Sequence, residues 1–178
     1  NAPLPILPLQ ILFLNLVTDI FPALALGTGK GDPIVMKRSP RDPKEPILTR
    51  DNWVFISGYG LVITVSVLAS LAISLFWLGL DNRQAVTVSF LTLAFAQLWH
   101  VFNMRDRASG FLHNEVTRNP FIWGSIALCS GLLLASVFVP ELAYVLKTAN
   151  PGVSGWALVF AMSLVVWVVG QVHKSVVR

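Results

Sequence analysis

Apolar runs long enough to cross a bilayer recur along this chain, and no other feature restricts its fold as much. A membrane-spanning helix needs about 20 predominantly apolar residues. Five stretches qualify: about Pro8–Leu26, Trp53–Leu80, Gln84–Asn103, Pro120–Val139 and Ser154–Val172. The predicted fold class is therefore all-α, a polytopic membrane bundle of five transmembrane helices forming one domain over residues 1–178. Composition agrees. Hydrophobic residues make up 54% of the chain, charged residues 12%, and the mean hydropathy is +0.68. Soluble domains carry about 25% charged residues. Gly79, Asp81 and Asn82 predict a tight turn between the second and third spans, and Asn150, Pro151 and Gly152 punctuate the entry to the fifth.

Charge sets the expected topology. Lys30, Lys37, Arg38, Arg41, Lys44 and Arg50 fall between the first two spans, Arg105, Arg107 and Arg118 between the third and fourth, and Lys174 and Arg178 after the fifth. Of the thirteen Lys and Arg only Arg83 and Lys147 fall on the other face. Basic residues are retained on the cytoplasmic side, so the expectation is a multi-pass protein of the cell membrane, N-terminus outside and C-terminus cytoplasmic. The net charge of +4 follows from topology and gives no argument for nucleic acid. Trp53, Trp77, Trp123 and Trp156 lie near span ends, as interfacial aromatics do. The chain starts at Asn1, in apolar sequence and without a signal-peptide cleavage pattern, so it is expected to be a piece of a longer polypeptide. A single cysteine, Cys129, rules out an intramolecular disulfide and reads as a small packing residue.

One span carries a carboxylate in its interior. Asn15, Thr18 and Asp19 are spaced i, i+3, i+4, which puts them on one face of an α-helix. An amide oxygen, a hydroxyl and a carboxylate suit a hard cation. A carboxylate in hydrocarbon costs several kcal/mol unless it is paired, so it marks function by default. Pro22 lacks an N–H, and in a regular helix its missing partner is the Thr18 carbonyl. The first helix is thus predicted to be interrupted near Asp19–Pro22, with a backbone oxygen added to the ligand set, as in discontinuous helices that hold ions at mid-membrane. The plainer alternative is a protonated Asp19 bonded to a neighbouring helix, with Pro22 a simple kink.

In the third span Ser89, Thr92, Ala96, His100 and Asn103 form a polar or small stripe, with Gln97 beside it. These residues fit either a second contribution to the ion site or hydrogen bonds across packed helices. For His100 packing is the better reading; for Gln97 the two are balanced. Ser66, Ala69, Ser70 and Ser74 in the second span, and Gly124, Ala127, Gly131 and Ala135 in the fourth, read as close-packing seams. Gly58 and Gly60 mark a flexible or tightly packed start to the second span. The cytoplasmic loop over residues 27–51, with Pro33, Pro40, Pro43 and Pro46 among its charges, reads as extended and solvated.

The run Asn15-Leu-Val-Thr-Asp19, followed by Pro22, Leu26 and Gly27, resembles the sixth transmembrane helix of type II P-type cation ATPases, the family of the calcium pumps and their bacterial relatives. The loop Gly31-Asp32-Pro33 through Met36, then Arg38 to Pro46, is similar to the loop that follows in that family. The resemblance implies that helices six to ten cover the whole chain. It implies that Asn15, Thr18 and Asp19 are ligands of a transported cation, Ca²⁺ first, with Mn²⁺ or Na⁺ as alternatives. Gln97 falls where calcium pumps carry a glutamate on helix eight. A neutral residue there fits one ion per cycle, or a different cation, better than two calcium ions. The implied partners are the lipid bilayer and, in the same polypeptide, the N-terminal helices and the actuator, nucleotide-binding and phosphorylation domains. Mg-ATP enters only through those cytoplasmic domains. The family's phosphorylated Asp-Lys-Thr-Gly-Thr motif is absent, and Gly27-Thr-Gly29-Lys-Gly31 lacks Walker spacing, so these residues alone cannot hydrolyse ATP. Two other classes compete: part of a secondary cation/proton antiporter with Asp19 as its switch, and a non-transporting membrane subunit.

Overall fold

A computed structural model describes residues 3–29, 46, 48, 50–104, 114 and 116–176, with the side chains of Asp51 and of residues 173–176 left aside. Most of the charged, proline-rich loop lies outside the described residues, as do Arg105, Arg107 and Arg178. The elements are α1 (Pro8–Leu14), a π-helical turn (Asn15–Ile20), α2 (Phe21–Gly27), α3 (Arg50–Phe76), α4 (Asn82–His100) with a 3₁₀ extension (Val101–Met104), α5 (Pro120–Phe138), α6 (Pro140–Leu146) and α7 (Gly152–Val176). Five helices are long and apolar enough to cross a membrane, the first formed by α1, the π turn and α2 together. The described residues form no strand.

The centre of the bundle is α4, packed chiefly against α7 and α3. It is buried almost all round and is also the least hydropathic of the five spans. The two facts belong together: its neighbours are helices rather than lipid, so small and hydroxyl residues such as Ser89, Thr92 and Ala96 serve it better than bulky apolar ones. Ser66, Ser70 and Ser74 of α3 are buried, as a packing seam requires. The corresponding pattern in α5 behaves differently. Gly124, Ala127 and Gly131 face outward, and a Cβ added at either glycine meets nothing within 4 Å. The buried side of α5 instead carries Ile122, Ser125, Ile126, Cys129 and Leu133. Gly58 and Gly60 likewise have no close neighbour. The close approaches fall on α7: a Cβ at Gly155 would lie 2.4 Å from Pro151 Cβ, and one at Gly170 2.4 Å from Asn103 Nδ2.

Helix ends follow local chemistry. The second span stops at Phe76 rather than Leu80, because Gly79 takes a left-handed φ of 61° and Asp81 then caps α4 by accepting the Gln84 N–H at 2.9 Å. α5 ends at Phe138 with Val139 as its cap, and Pro140 opens the short α6. Trp53, Trp77 and Trp123 are exposed near span ends, whereas Trp156 is partly covered and stacks on Phe138.

Both ends of the first span are tied to the rest. At its start the buried Gln10 donates from Nε2 to the Leu146 carbonyl at 3.0 Å and accepts the Leu7 N–H through Oε1 at 3.0 Å. At its end Asn119, the N-cap of α5, donates to the Ala25 carbonyl at 3.0 Å and to Thr28 Oγ1 at 3.2 Å, while its Oδ1 accepts the Phe121 N–H.

Candidate cation site

The interruption expected near Asp19–Pro22 takes the form of a wide turn. Over Asn15–Ile20 the backbone follows π-helical i→i+5 bonding, then returns to α-helix at Phe21 with Pro22 in its first turn, where a missing N–H is tolerated. Five residues on from Thr18 lies Ala23, which has an N–H; five on from Val17 lies Pro22, which has none. In the π register the carbonyl opposite Pro22 is therefore that of Val17, where an α-helix would place that of Thr18. Cys129 Sγ of α5 donates to that Val17 carbonyl at 2.9 Å, and both residues are fully buried. Sequence reasoning gave Cys129 packing alone; only the register of the π turn could have shown the bond.

The wide turn also separates the three polar residues. Thr18 is buried and faces α4, while Asn15 and Asp19 lie on the exposed side of the helix. Thr18 Oγ1 stands 2.8 Å from Gln97 Oε1, 2.9 Å from the Leu14 carbonyl and 3.5 Å from Asp19 Oδ1. A hydroxyl has one proton and can donate to only one of these oxygens. Turning the Gln97 amide would place its nitrogen toward Thr18 and satisfy a second contact, since the two ends of an amide are assigned from the network. The remaining approach, hydroxyl against carboxylate, still leaves more lone pairs than protons. With the amide oxygen toward Thr18, the three oxygens around this one hydroxyl suit a positive charge.

These groups open onto a cleft of about 470 Å³ between the first span, α3 and α4, lined by Thr18, Asp19, Pro22, Gln97, His100 and Tyr59 among others. Asn15 does not line it. The His100 ring lies 4.3 Å, centroid to centroid, from that of Tyr59. One turn further along, Asn103 donates to the Tyr59 hydroxyl at 2.9 Å and accepts from Gln171 Nε2 at 2.6 Å, and Tyr59 donates to the Val166 carbonyl at 3.3 Å. The polar stripe of α4 thus serves interhelical hydrogen bonding through Asn103, whereas Gln97, on the adjacent side, meets Thr18. Among the described residues no three His, Cys, Asp or Glu side chains come together. Any cation here would be held largely by neutral oxygens.

Five helices long and apolar enough to span a membrane, three of them lining a cleft that holds a few polar side chains, define a multi-pass integral membrane domain, with the lipid bilayer as its solvent. Comparison with known proteins gives the family. The model for "Cation transporting ATPase, C-terminus" matches residues 3–176, and the chain belongs to this family as the C-terminal membrane part of a P-type ATPase. It is 36% identical over 165 residues to the calcium-transporting ATPase of Bacillus subtilis (strain 168), covering 92% of this chain and 18% of that protein. To the calcium-transporting ATPase lmo0841 of Listeria monocytogenes it is 29% identical, covering 97% of this chain and 19% of that protein. It is 25% identical to sodium/potassium exporting P-type ATPase 1 of Saccharomyces cerevisiae, covering 96% and 18% respectively. The chain thus spans less than a quarter of the length of these relatives.

Proposed function

We propose that this domain supplies part of the intramembrane cation site of an ATP-driven pump. Thr18, Asp19 and Gln97 are the ligands at the cleft, and Asn15 lies on the next turn. The observation that carries the reading is the convergence of the Asp19, Gln97 and Leu14 oxygens on the Thr18 hydroxyl, with Thr18, Asp19 and Gln97 lining the cleft. Calcium is the first candidate cation, because the bacterial relatives are named as calcium transporters. The yeast sodium/potassium exporter keeps monovalent ions in view. Mg-ATP acts through the cytoplasmic actuator, nucleotide-binding and phosphorylation domains of the same polypeptide, and the domain sits with its N-terminus outside and C-terminus in the cytoplasm.

The bare side of the first span supports this arrangement. Leu9, Leu12, Leu16, Ile20 and Leu24 are exposed there, and so are Asn15 and Asp19. Leucine tolerates lipid; a carboxylate at that depth costs several kcal/mol. Further transmembrane helices of the same polypeptide, packed on this side, would remove that cost and complete the ligand shell.

The direct test is ATP-driven uptake by the full-length protein in sealed vesicles, screened across Ca²⁺, Mn²⁺, Na⁺ and Mg²⁺. Saturable uptake of one cation with matching stimulation of phosphorylation is expected, and no ATP-driven flux of any of them would sink the reading. Gln97→Glu adds a charge beside Thr18. We expect it to change the apparent cation affinity by about tenfold, since a new charge some 4 Å from the ion in a partly screened site contributes at least the 1.4 kcal/mol that tenfold requires. Unchanged affinity and stoichiometry would remove Gln97 from the shell.

A further inference from the structure

The buried Val17 carbonyl is the one that falls opposite Pro22, which has no N–H, in the π register, and Cys129 is a side chain that meets it. We propose that Cys129 is a positioning residue of the cation site: its S–H stands in for the N–H that Pro22 lacks and fixes the wide turn in register. The inference rests on the cation-site reading above.

Inside a membrane domain an unsatisfied carbonyl is costly, and no water reaches Val17, which is fully buried. A π turn exists only while its residues keep i→i+5 bonding, a register less favourable than α-helix and often found at functional sites. Two outcomes compete at this point. If the segment returned to α-helix, the orphan carbonyl would again be that of Thr18, and Thr18 and Asp19 would rotate relative to Gln97. If the π turn persists, Val17 carries the orphan, and a donor must reach it from another helix. Cys129 is in place for the second outcome, 2.9 Å away and within the apolar cluster that includes Leu14, Val17, Phe90 and Leu133. A thiol suits the position because it is a small apolar group with one weak donor. Its effect on the site is indirect: it holds Val17, and Val17 precedes Thr18, whose hydroxyl lies 2.8 Å from Gln97.

Three measurements on the full-length protein test this. The first is the S–H stretching band of Cys129 in the infrared, isolated as the difference between wild type and Cys129→Ala. A band shifted to the low frequency of a thiol donating to a carbonyl is expected; a free-thiol frequency would overturn the proposal whatever the cation results. The second is the cation dependence of phosphorylation in Cys129→Ser and Cys129→Ala, compared at equal amounts of folded protein. Serine keeps the donor and is expected to stay within about twofold of wild type, while alanine lowers apparent affinity by about fivefold to tenfold, the range of one buried hydrogen bond. Wild-type affinity in the alanine variant, or equal losses in both variants, would overturn it. The third is Asp19→Asn as a control for the site itself. If that variant keeps wild-type cation dependence while the thiol band is shifted, the bond exists but positions no cation site, and the inference falls with the reading it rests on.

Discussion

Asp19→Asn in the full-length protein is expected to abolish cation-dependent phosphorylation while leaving membrane insertion and the fold intact. The substitution is nearly isosteric and keeps an oxygen, so it isolates the charge. Two unit charges about 4 Å apart at an effective dielectric of about 20 attract by about 4 kcal/mol, and more if the ion is divalent. That is about a thousandfold in affinity or greater, enough to move half-saturation beyond working concentrations. Insertion is not at risk, because removing a carboxylate from a span lowers its transfer cost. The measurement is radiolabelled phosphoenzyme against cation concentration, alongside membrane yield and the elution profile of the solubilised protein. Phosphorylation with wild-type cation dependence would show that Asp19 is no ligand, and would favour a protonated acid bonded within the bundle.

The second large effect lies away from the cleft. Gly170→Val is expected to destabilise the domain by about 3 kcal/mol, as overpacking and broken buried hydrogen bonds act together. A Cβ at Gly170 would stand 2.4 Å from Asn103 Nδ2 and 3.0 Å from Tyr59 Cε2. Asn103 cannot simply swing aside, since it is held by the Tyr59 hydroxyl on one flank and by Gln171 on the other. Moving it breaks the link among α3, the 3₁₀ extension of α4 and α7. The melting temperature of the solubilised protein should fall by about 5 °C or more. Gly131→Ala serves as the control, because among the described residues a Cβ there meets nothing within 4 Å beyond its own helix backbone. Equal melting temperatures for the Gly170→Val protein and the wild type would mean that α7 does not approach α4 so closely.

Hydropathy made the five spans legible, because the bilayer imposes one length and one solvent preference on every crossing segment. Their ends were less so. Trp77, Leu78 and Leu80 are apolar enough to prolong the second span on paper, yet the left-handed Gly79 and the Asp81 cap decide where the chain turns. Facing was harder still. Ser66–Ser74 and Gly124–Ala135 both repeat small residues at helical spacing, but only the first is buried against another helix. Spacing tells which residues share a face and not which neighbour that face meets. At the site, Thr18, Asp19 and Gln97 could be read from residue type, since oxygen donors in an apolar span are conspicuous. The split between a buried Thr18 and an exposed Asn15 could not. The i, i+3, i+4 rule presumes α-helix throughout, and a wide turn changes the angular offset of every residue after it. The bond made by Cys129 was illegible for the same reason, because its partner is a main-chain oxygen on a helix over a hundred positions earlier.

The tethers at Gln10 and Asn119 bear on how the first span can respond to load. With its upper end anchored to the Leu146 carbonyl and its lower end hung from the Asn119 amide, the helix cannot slide as a rod without breaking one attachment. Torsion about its own axis is the other response, and in the π turn it is opposed by the Cys129–Val17 and Thr18–Gln97 contacts. The π turn holds the less favourable backbone register, so a twist strong enough to part those contacts concentrates there. Such a twist would turn Thr18 and Asp19 together, like the bolt of a lock whose frame stays still.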